Sequence, residues 1–461
     1  MKNFISKKRS WKFWIFFWSI SLIFLSAWYL FWQFKNKNWV GLVDLFHPVV
    51  NSLPIGETRK QEILTVSDLT AEIFSSKEEQ KFLLLFQNNL EIRPGGGFLG
   101  SFGILKVKDG KITSVEVHDT NVFDTRINSN IPPPYPMGDM LNIKDWELRD
   151  SNWSADFPVN AEKAEYFYHL EGGEENFNGA VAISTEVLTT FLAVLGPVTL
   201  PGYPGEYNSE NAIVKLEYQV EKGYKEQEIE KGKRKYIMKD LAFELMRRAE
   251  SASWEKKKAL LEVLEKHLNR KDIMVYFKNP TWQNRITLLN WDGQVEQKTP
   301  GDYLMIIDAN LGALKSDAHI KRSFVYQIDF SSGAPKATLK IKYDHTARSR
   351  DWMTTHYNNY LRVYVPQDSW LDTADGVGEK DFSDELGRQV FGFLVYVRIG
   401  EEKEVVLNYS LPKEITEENY ELLIQKQSGT GVVSGKVIFI DGRGEKIEKD
   451  LKLEGDVKVK F

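Results

Sequence analysis

The sequence predicts an N-terminal transmembrane helix, a mixed α/β domain and a C-terminal β-sandwich of the Ig-like kind. Three observations carry this. An uncharged stretch of 22 residues lies between Lys12 and Lys35. Strand-like and helix-like segments alternate from about residue 81 to 317, and beyond His319 only short alternating runs separated by turn residues remain.

The uncharged stretch, FWIFFWSISLIFLSAWYLFWQF at 13–34, would cover about 33 Å as a helix, enough for a hydrocarbon core of about 30 Å. Trp14, Trp18, Trp28, Tyr29 and Trp32 stand mostly towards its ends, where aromatic side chains favour the interface. Lys2, Lys7, Lys8, Arg9 and Lys12 precede it, and only Lys35 and Lys37 follow closely. The positive-inside rule therefore makes 1–12 a cytoplasmic tail and puts the bulk of the chain outside the cytoplasm, held by a single-pass signal anchor in the cell membrane. A cleaved signal peptide is a poorer reading, because the apolar core is too long and no pair of small residues closes it.

Residues 35–80 read as a membrane-proximal stalk with an amphipathic helix around Lys60 to Phe74. The α/β domain is expected over 81–317. KFLLLF at 81–86 reads as a buried strand, and Asp109-Gly110 between two strand-like runs is a strong hairpin signal. Ile131–Pro136 is a Pro-rich loop, and a helix near 160–169 is bounded by Pro158 and Gly172-Gly173. GAVAIS and TEVLTTFLAVLG give a strand and a helix. The charged run Glu221–Lys235 reads as a solvated loop or long hairpin, and helices recur to Asn269 with a break near Ser251–Ser253. The sandwich is expected over 318–461.

Composition excludes several functions. The chain has no cysteine, so disulfide frameworks and thiolate chemistry are out. A net charge of -5 over 461 residues offers no basic face for nucleic acid. H-E-x-x-H is missing, and Leu99 occupies the first glycine position that a G-x-S-x-G motif around Ser101 would need.

Three clusters remain as site candidates. Gly95, Gly96, Gly97 and Gly100 spell G-x-G-x-x-G, but a strand and not a helix follows, which rules out a dinucleotide fold. The glycines form either an anion-binding nest or a tight crossing required by the backbone. Just upstream, Glu91 and Arg93 share one face of an extended strand, either as an anion site or as a structural pair. His118, Asp119 and Asp124, with Asp150, Asn152 and Asp156, are either Mg²⁺ ligands and a catalytic base, or loop and N-cap residues.

LLLFQNNLEIRPGGGFLGSFG, RDSNWSADFPVNAEKAEYFY, GDYLMIIDANLGALKSDAHIKRS and NNYLRVYVP resemble the bacterial, membrane-anchored family known as domain of unknown function 4012, from about residue 80 to near the C-terminus. FNGAVAISTEVLTTFLAVLGPVTLPG is similar, more distantly, to a segment of LytR–CpsA–Psr proteins, with Gly196-Pro197-Val198-Thr199 in place of their Gly-Gly-Val-Thr turn. That second resemblance implies an α/β/α domain that transfers glycopolymers from polyprenyl-pyrophosphate carriers to peptidoglycan with Mg²⁺. It would make Arg93, Asp119 and Asp156 catalytic, Glu91, Gly95, Gly96, Gly97 and Asn152 substrate-binding, and Asp119 and Asp150 metal ligands. His118 departs from the arginine of that family, which weakens pyrophosphate binding. The alternative, from a different class, is a non-catalytic surface scaffold or adhesion protein.

Overall fold

The computed structural model describes residues 39–461. The expected tail at 1–12 and anchor at 13–34 lie outside the described residues, and no helix among the described residues is long and apolar enough to cross a membrane. The chain begins with α1 (Trp39–Asn51) and α2 (Glu57–Ser75), which pack on each other. The helix expected inside the stalk is present, but it is not a free spacer. Its Leu69 shares a core with Phe82, Phe277 and Ile286, and Arg59 is paired with Glu265 at 2.7 Å. The expected stalk therefore ends as part of the α/β domain.

That domain is built on a five-stranded sheet in the order β3-β2-β1-β4-β7. The strands are β1 (Gln80–Asn88), β2 (Phe98–Lys108), β3 (Lys111–Asp119), β4 (Gly179–Ser184) and β7 (Ile273–Phe277), and a small separate hairpin joins β5 (Val198–Thr199) to β6 (Glu206–Tyr207). β1 and β4 are parallel and the other pairs antiparallel, so β1, β3 and β4 all end on one edge. The predicted turn between β2 and β3 has positive φ at both Asp109 (49°) and Gly110 (70°), as a two-residue hairpin of matching twist requires.

Alternation along β1 distributes the helices. Leu83 and Leu85 face α3 (Phe157–Leu170) through Phe157, Ala164 and Phe167, while Phe82 faces α2 and α8 (Pro280–Leu288). On that second side α4 (Thr185–Leu195) and α7 (Trp254–Asn269) close over β4 and β7 through Val187, Leu268 and Ile273. A satellite core of Leu192, Leu195, Tyr207, Ile237 and Leu241 holds α5 (Ala212–Tyr218) and α6 (Tyr236–Glu250) beside α4. The helix break falls where expected, with the Ser253 side chain capping α7. The charged run 221–235 is mostly helical turns, and its last residues are drawn inward: Arg234 is buried.

Two six-stranded sheets form the C-terminal half. One runs β12-β15-β10-β9-β17-β18 and the other β13-β14-β11-β8-β16-β19. In chain order these are β8 (Asp302–Asn310), β9 (Ile320–Asp329), β10 (Lys336–His345), β11 (Tyr357–Pro366), β12 (Trp370–Asp375), β13 (Lys380–Glu385), β14 (Arg388–Val397), β15 (Glu402–Ser410), β16 (Glu421–Gln425), β17 (Val433–Ile440), β18 (Lys446–Leu453) and β19 (Val457–Lys460). A shared core takes Leu304, Leu361 and Phe393 from one sheet and Phe324, Leu339 and Leu407 from the other. This β-rich half starts upstream of the expected residue 318, because β8 is its first strand. β8 is buried on both faces between β11 and β16, so its apolar residues run without the alternation that marks a half-exposed strand.

Candidate functional site

The segment Glu91–Gly97 is not an open anion cradle but the joint between the two halves of the chain. Arg93 is 2 % exposed. Its guanidinium donates to Glu91 at 3.0 Å, to Asp150 at 3.4 Å and to the Asn310 carbonyl at 2.6 Å. Burial opposes its charge, and Glu91 and Asp150 outweigh that and raise its pKa. The backbone continues the stitching. Ile92 N–H donates to Asp317 and its carbonyl accepts from Asn310 N–H, both at 3.0 Å, while Gln427 donates to the carbonyls of Arg93 and Asp308. No group of Arg93 remains for phosphate.

The glycines answer to the same joint. Gly95 N–H donates to the Asn152 carbonyl and Gly96 N–H to the Arg93 carbonyl, so the proposed nest is filled from within. Gly96 has φ +131°, and a Cβ on Gly97 would lie 2.5 Å from the Asn88 backbone. The Asn152 side chain donates to the Gly97 carbonyl at 2.5 Å. Of the two readings left open, the backbone one holds, and the substrate-binding roles for Glu91, Gly95, Gly96, Gly97 and Asn152 are corrected accordingly.

The acidic residues are likewise divided among separate tasks. Asp119 caps the short turn Thr120–Phe123 through Asn121 N–H and accepts from Arg234 Nε at 2.6 Å. Asp150 pairs with Arg93 and lies 3.7 Å from Arg149. Asp156 is the N-cap of α3, accepting from Val159 N–H, and also accepts from Val295 N–H at 2.9 Å. Arg93, Asp119 and Asp156 are all buried and share no partner. Among the described residues no group of three or more His, Asp or Glu side chains could hold a metal ion. The expected Mg²⁺ pair Asp119 and Asp150 does not fit a metal: each carboxylate already faces a different guanidinium. The catalytic and metal roles are corrected on this geometry.

What the sheet edge does present was not visible in the sequence. Over the ends of β1 and β3 stand Arg234, Lys235, Glu217 and Lys315. Asn88 donates to Glu217 at 2.7 Å, and Lys315 lies 3.6 Å from Glu217 and 3.9 Å from Glu91. Lys235, at the start of α6, differs from its neighbours. Among the described residues no carboxylate lies within ion-pair distance of its ammonium, which rests over Gly100, where a Cβ would approach to 3.1 Å. Burial lowers its pKa, with Asp119 and Glu217 acting the other way from a distance. The residue as a whole is partly exposed, so the crowding is at the ammonium end. Its place in the run KGKRKY hid it, since such runs normally mark solvated loops.

Residues 77–220 match the family model described as "Protein of unknown function (DUF4012)". This segment belongs to that family. The DUF4012 segment holds the sheet as far as β4, the joint at Glu91–Gly97, and α3 to α5, which is where the specific resemblance in sequence lay. No curated protein matches the chain. Among solved structures, a candidate nutrient-binding protein from Legionella pneumophila subsp. pneumophila str. Philadelphia 1 is similar at 8 % identity, covering 34 % of this chain and 70 % of that one, with a TM-score of 0.23. At that score the likeness carries no argument about fold or ligand.

Proposed function

We propose that this is a membrane-anchored protein of the cell envelope, facing outward, whose α/β domain binds the phosphate of a lipid-linked headgroup. Lys235 carries the reading. A crowded ammonium without a counter-ion is a destabilised charge, and an incoming phosphate oxygen would restore what burial removes. The likeness to LytR–CpsA–Psr proteins and the anchor sequence at 13–34 point to the same substrate class. Binding is proposed and group transfer is not, because Arg93, Asp119 and Asp156 are each held in internal pairings. In this respect the protein stands nearer to a scaffold than to a transferase.

The binding test uses the full chain in detergent micelles titrated with farnesyl phosphate. Lys235→Gln is expected to weaken binding about tenfold or more, the usual worth of a hydrogen bond to a charged group. Farnesol should not distinguish the two proteins. Equal affinity of wild type and variant for the phosphate removes the site. Location is tested separately, and the absence of native cysteine helps. A single cysteine at Ser331, in an exposed turn, should react with a membrane-impermeant maleimide in intact cells, whereas one at Ser6 should react only after permeabilisation. The opposite pattern would place the chain inside.

A further inference from the structure

The two halves of the chain enclose a cleft of about 330 Å³ remote from the Lys235 edge in its lining and its chemistry. Its walls come from the Pro-rich loop, residues 151–154 and α3 on one side, and from β11 and β13 on the other. We infer that this cleft is a saccharide-binding site for a neutral glycan, which goes beyond the phosphate site proposed above and does not depend on it.

The aromatic content comes first. The rings of Trp153 and Tyr360 are parallel, with centroids 6.0 Å apart, and Tyr135 stands edge-on to Tyr360 at 6.1 Å. Tyr135 is 46 % exposed, a large aromatic kept at the surface by a hydrogen bond to Glu379 and by its contact with Tyr360. Trp146 adds a further ring, with the Lys163 ammonium 4.9 Å from its centroid. Trp153 and Tyr360 are themselves buried and back the cleft, so the ring surface open to a ligand is that of Tyr135 and part of Trp146. A flat apolar face with a polar end suits the C–H face of a pyranose ring as it suits other half-apolar ligands.

The polar groups decide the class. Tyr360 donates to Asp381 at 2.9 Å and Arg362 donates to Glu385 at 3.1 Å, and with Lys163 the lining carries two cations and two carboxylates. A cationic ligand would be repelled by Arg362 and Lys163 and an anionic one by Asp381 and Glu385, whereas a neutral one meets neither opposition. Two buried groups of the lining residues, Ser151 Oγ and Arg362 Nε, have no hydrogen-bond partner among the described residues, and Ser151 and Arg362 are 1 % and 3 % exposed. Buried polar atoms are rarely left alone. A hydroxyl both accepts and donates, so a ligand carrying several close together satisfies Nε–H and Oγ once a small side-chain shift opens them to the cleft, while keeping the carboxylate pairs intact. The volume is at the small end of the range for ligand pockets, which suits one or two sugar rings of a chain passing through the open cleft. A chain anchored on the outer face of the membrane would meet such polymers.

The test titrates the full chain in micelles with the β-linked N-acetylglucosamine tetrasaccharide and with cellotetraose, following tryptophan fluorescence, since Trp146 and Trp153 line the cleft. Saturable binding of at least one is expected. Tyr135→Ala should weaken it about tenfold, the order expected for losing an aromatic contact. Because Tyr135 is largely exposed, its removal should leave the fold intact, and a conservative Tyr135→Phe should retain most of the affinity. Lys235→Gln should bind saccharide as wild type does, which separates this proposal from the phosphate reading. Absence of binding by the wild type to both probes, or equal affinity in Tyr135→Ala, overturns the inference.

Discussion

Arg93→Ala is expected to lose about 3–5 kcal/mol of stability, enough to leave much of the chain unfolded at 37 °C. The reason is the company it keeps. Glu91 and Asp150 are 4 % exposed each, and without the guanidinium they become buried carboxylates answered only by Lys315 at 3.9 Å and Arg149 at 3.7 Å, neither within hydrogen-bond reach. The Asn310 carbonyl and the contact across the joint are lost together with them. The measurement is a thermal melt followed by circular dichroism in micelles. A control decides between a lost ion network and a lost packing residue: Arg93→Met combined with Glu91→Gln and Asp150→Asn removes the charges as a set and should recover a substantial part of the loss. If Arg93→Ala melts with the wild type, the joint does not depend on this network.

The expected effect also shows why this stretch could be singled out in the sequence and yet misread. A dense polar run at the end of an apolar strand marks a place where something must be satisfied in a buried setting, and IRPGGG is such a place. Whether the partner is a ligand or another part of the chain depends on what folds against it. Here Asp150 lies 57 residues on and Asn310 lies 217 residues on, separations that no local pattern reveals. The strands with clear alternation, the Asp109-Gly110 hairpin and the bounded helices were legible because short-range sterics and burial determine them. β8 was not, because a strand covered on both faces has no alternation to read. Lys235 escaped for the converse reason. Its ammonium is crowded by tertiary contact, although the run from Lys231 to Lys233 just before it is exposed.

Asp119 and Asp156 give a more general lesson about acidic residues near strand ends. Both were weighed as chemistry or as caps, and both turn out to cap a helical turn while accepting a second, long-range hydrogen bond. A helix N-terminus needs an acceptor at one defined position, so Asp and Asn collect there whether or not a reaction takes place. What would distinguish a functional carboxylate is an unanswered valence, and the structure has that elsewhere.

It is found at Asp124, and replacing it by asparagine is expected to stabilise the protein above neutral pH. Among the described residues neither Asp124 oxygen has a hydrogen-bond donor, and the nearby Oε2 of Glu171 has none either, although both residues are buried. Burial, then the neighbouring Glu171 carboxylate, pushes Asp124 up to about 9, against the weaker pull of Arg149 at 3.6 Å. The two carboxyls therefore share a proton in the folded state at neutral pH. In the unfolded chain Asp124 ionises near its ordinary value of about 4. A folded pKa above the unfolded one means that folding takes up a proton, so the contribution of this pair to stability is complete below about pH 4. It declines as pH rises and is lost as pH passes through about 9. Asparagine supplies a permanent N–H donor to Glu171 in place of the shared proton. The variant should then outlast the wild type at pH 8 by on the order of 3 kcal/mol, and the two should converge towards pH 4–5. Melts of both proteins across that range, compared as differences so that other titrating groups cancel, are the measurement. Curves that stay parallel from pH 5 to pH 8 would show that the pair does not hold its proton. The pair also lies at the far end of the network that begins at Arg93, through Asp150 and Arg149, with the Arg149 Nε 3.7 Å from Asp150 and 3.6 Å from Asp124. Relieving it should therefore leave the joint at Arg93 intact, and Asp124→Asn should not rescue Arg93→Ala, because the unpaired charges created there are at Glu91 and Asp150.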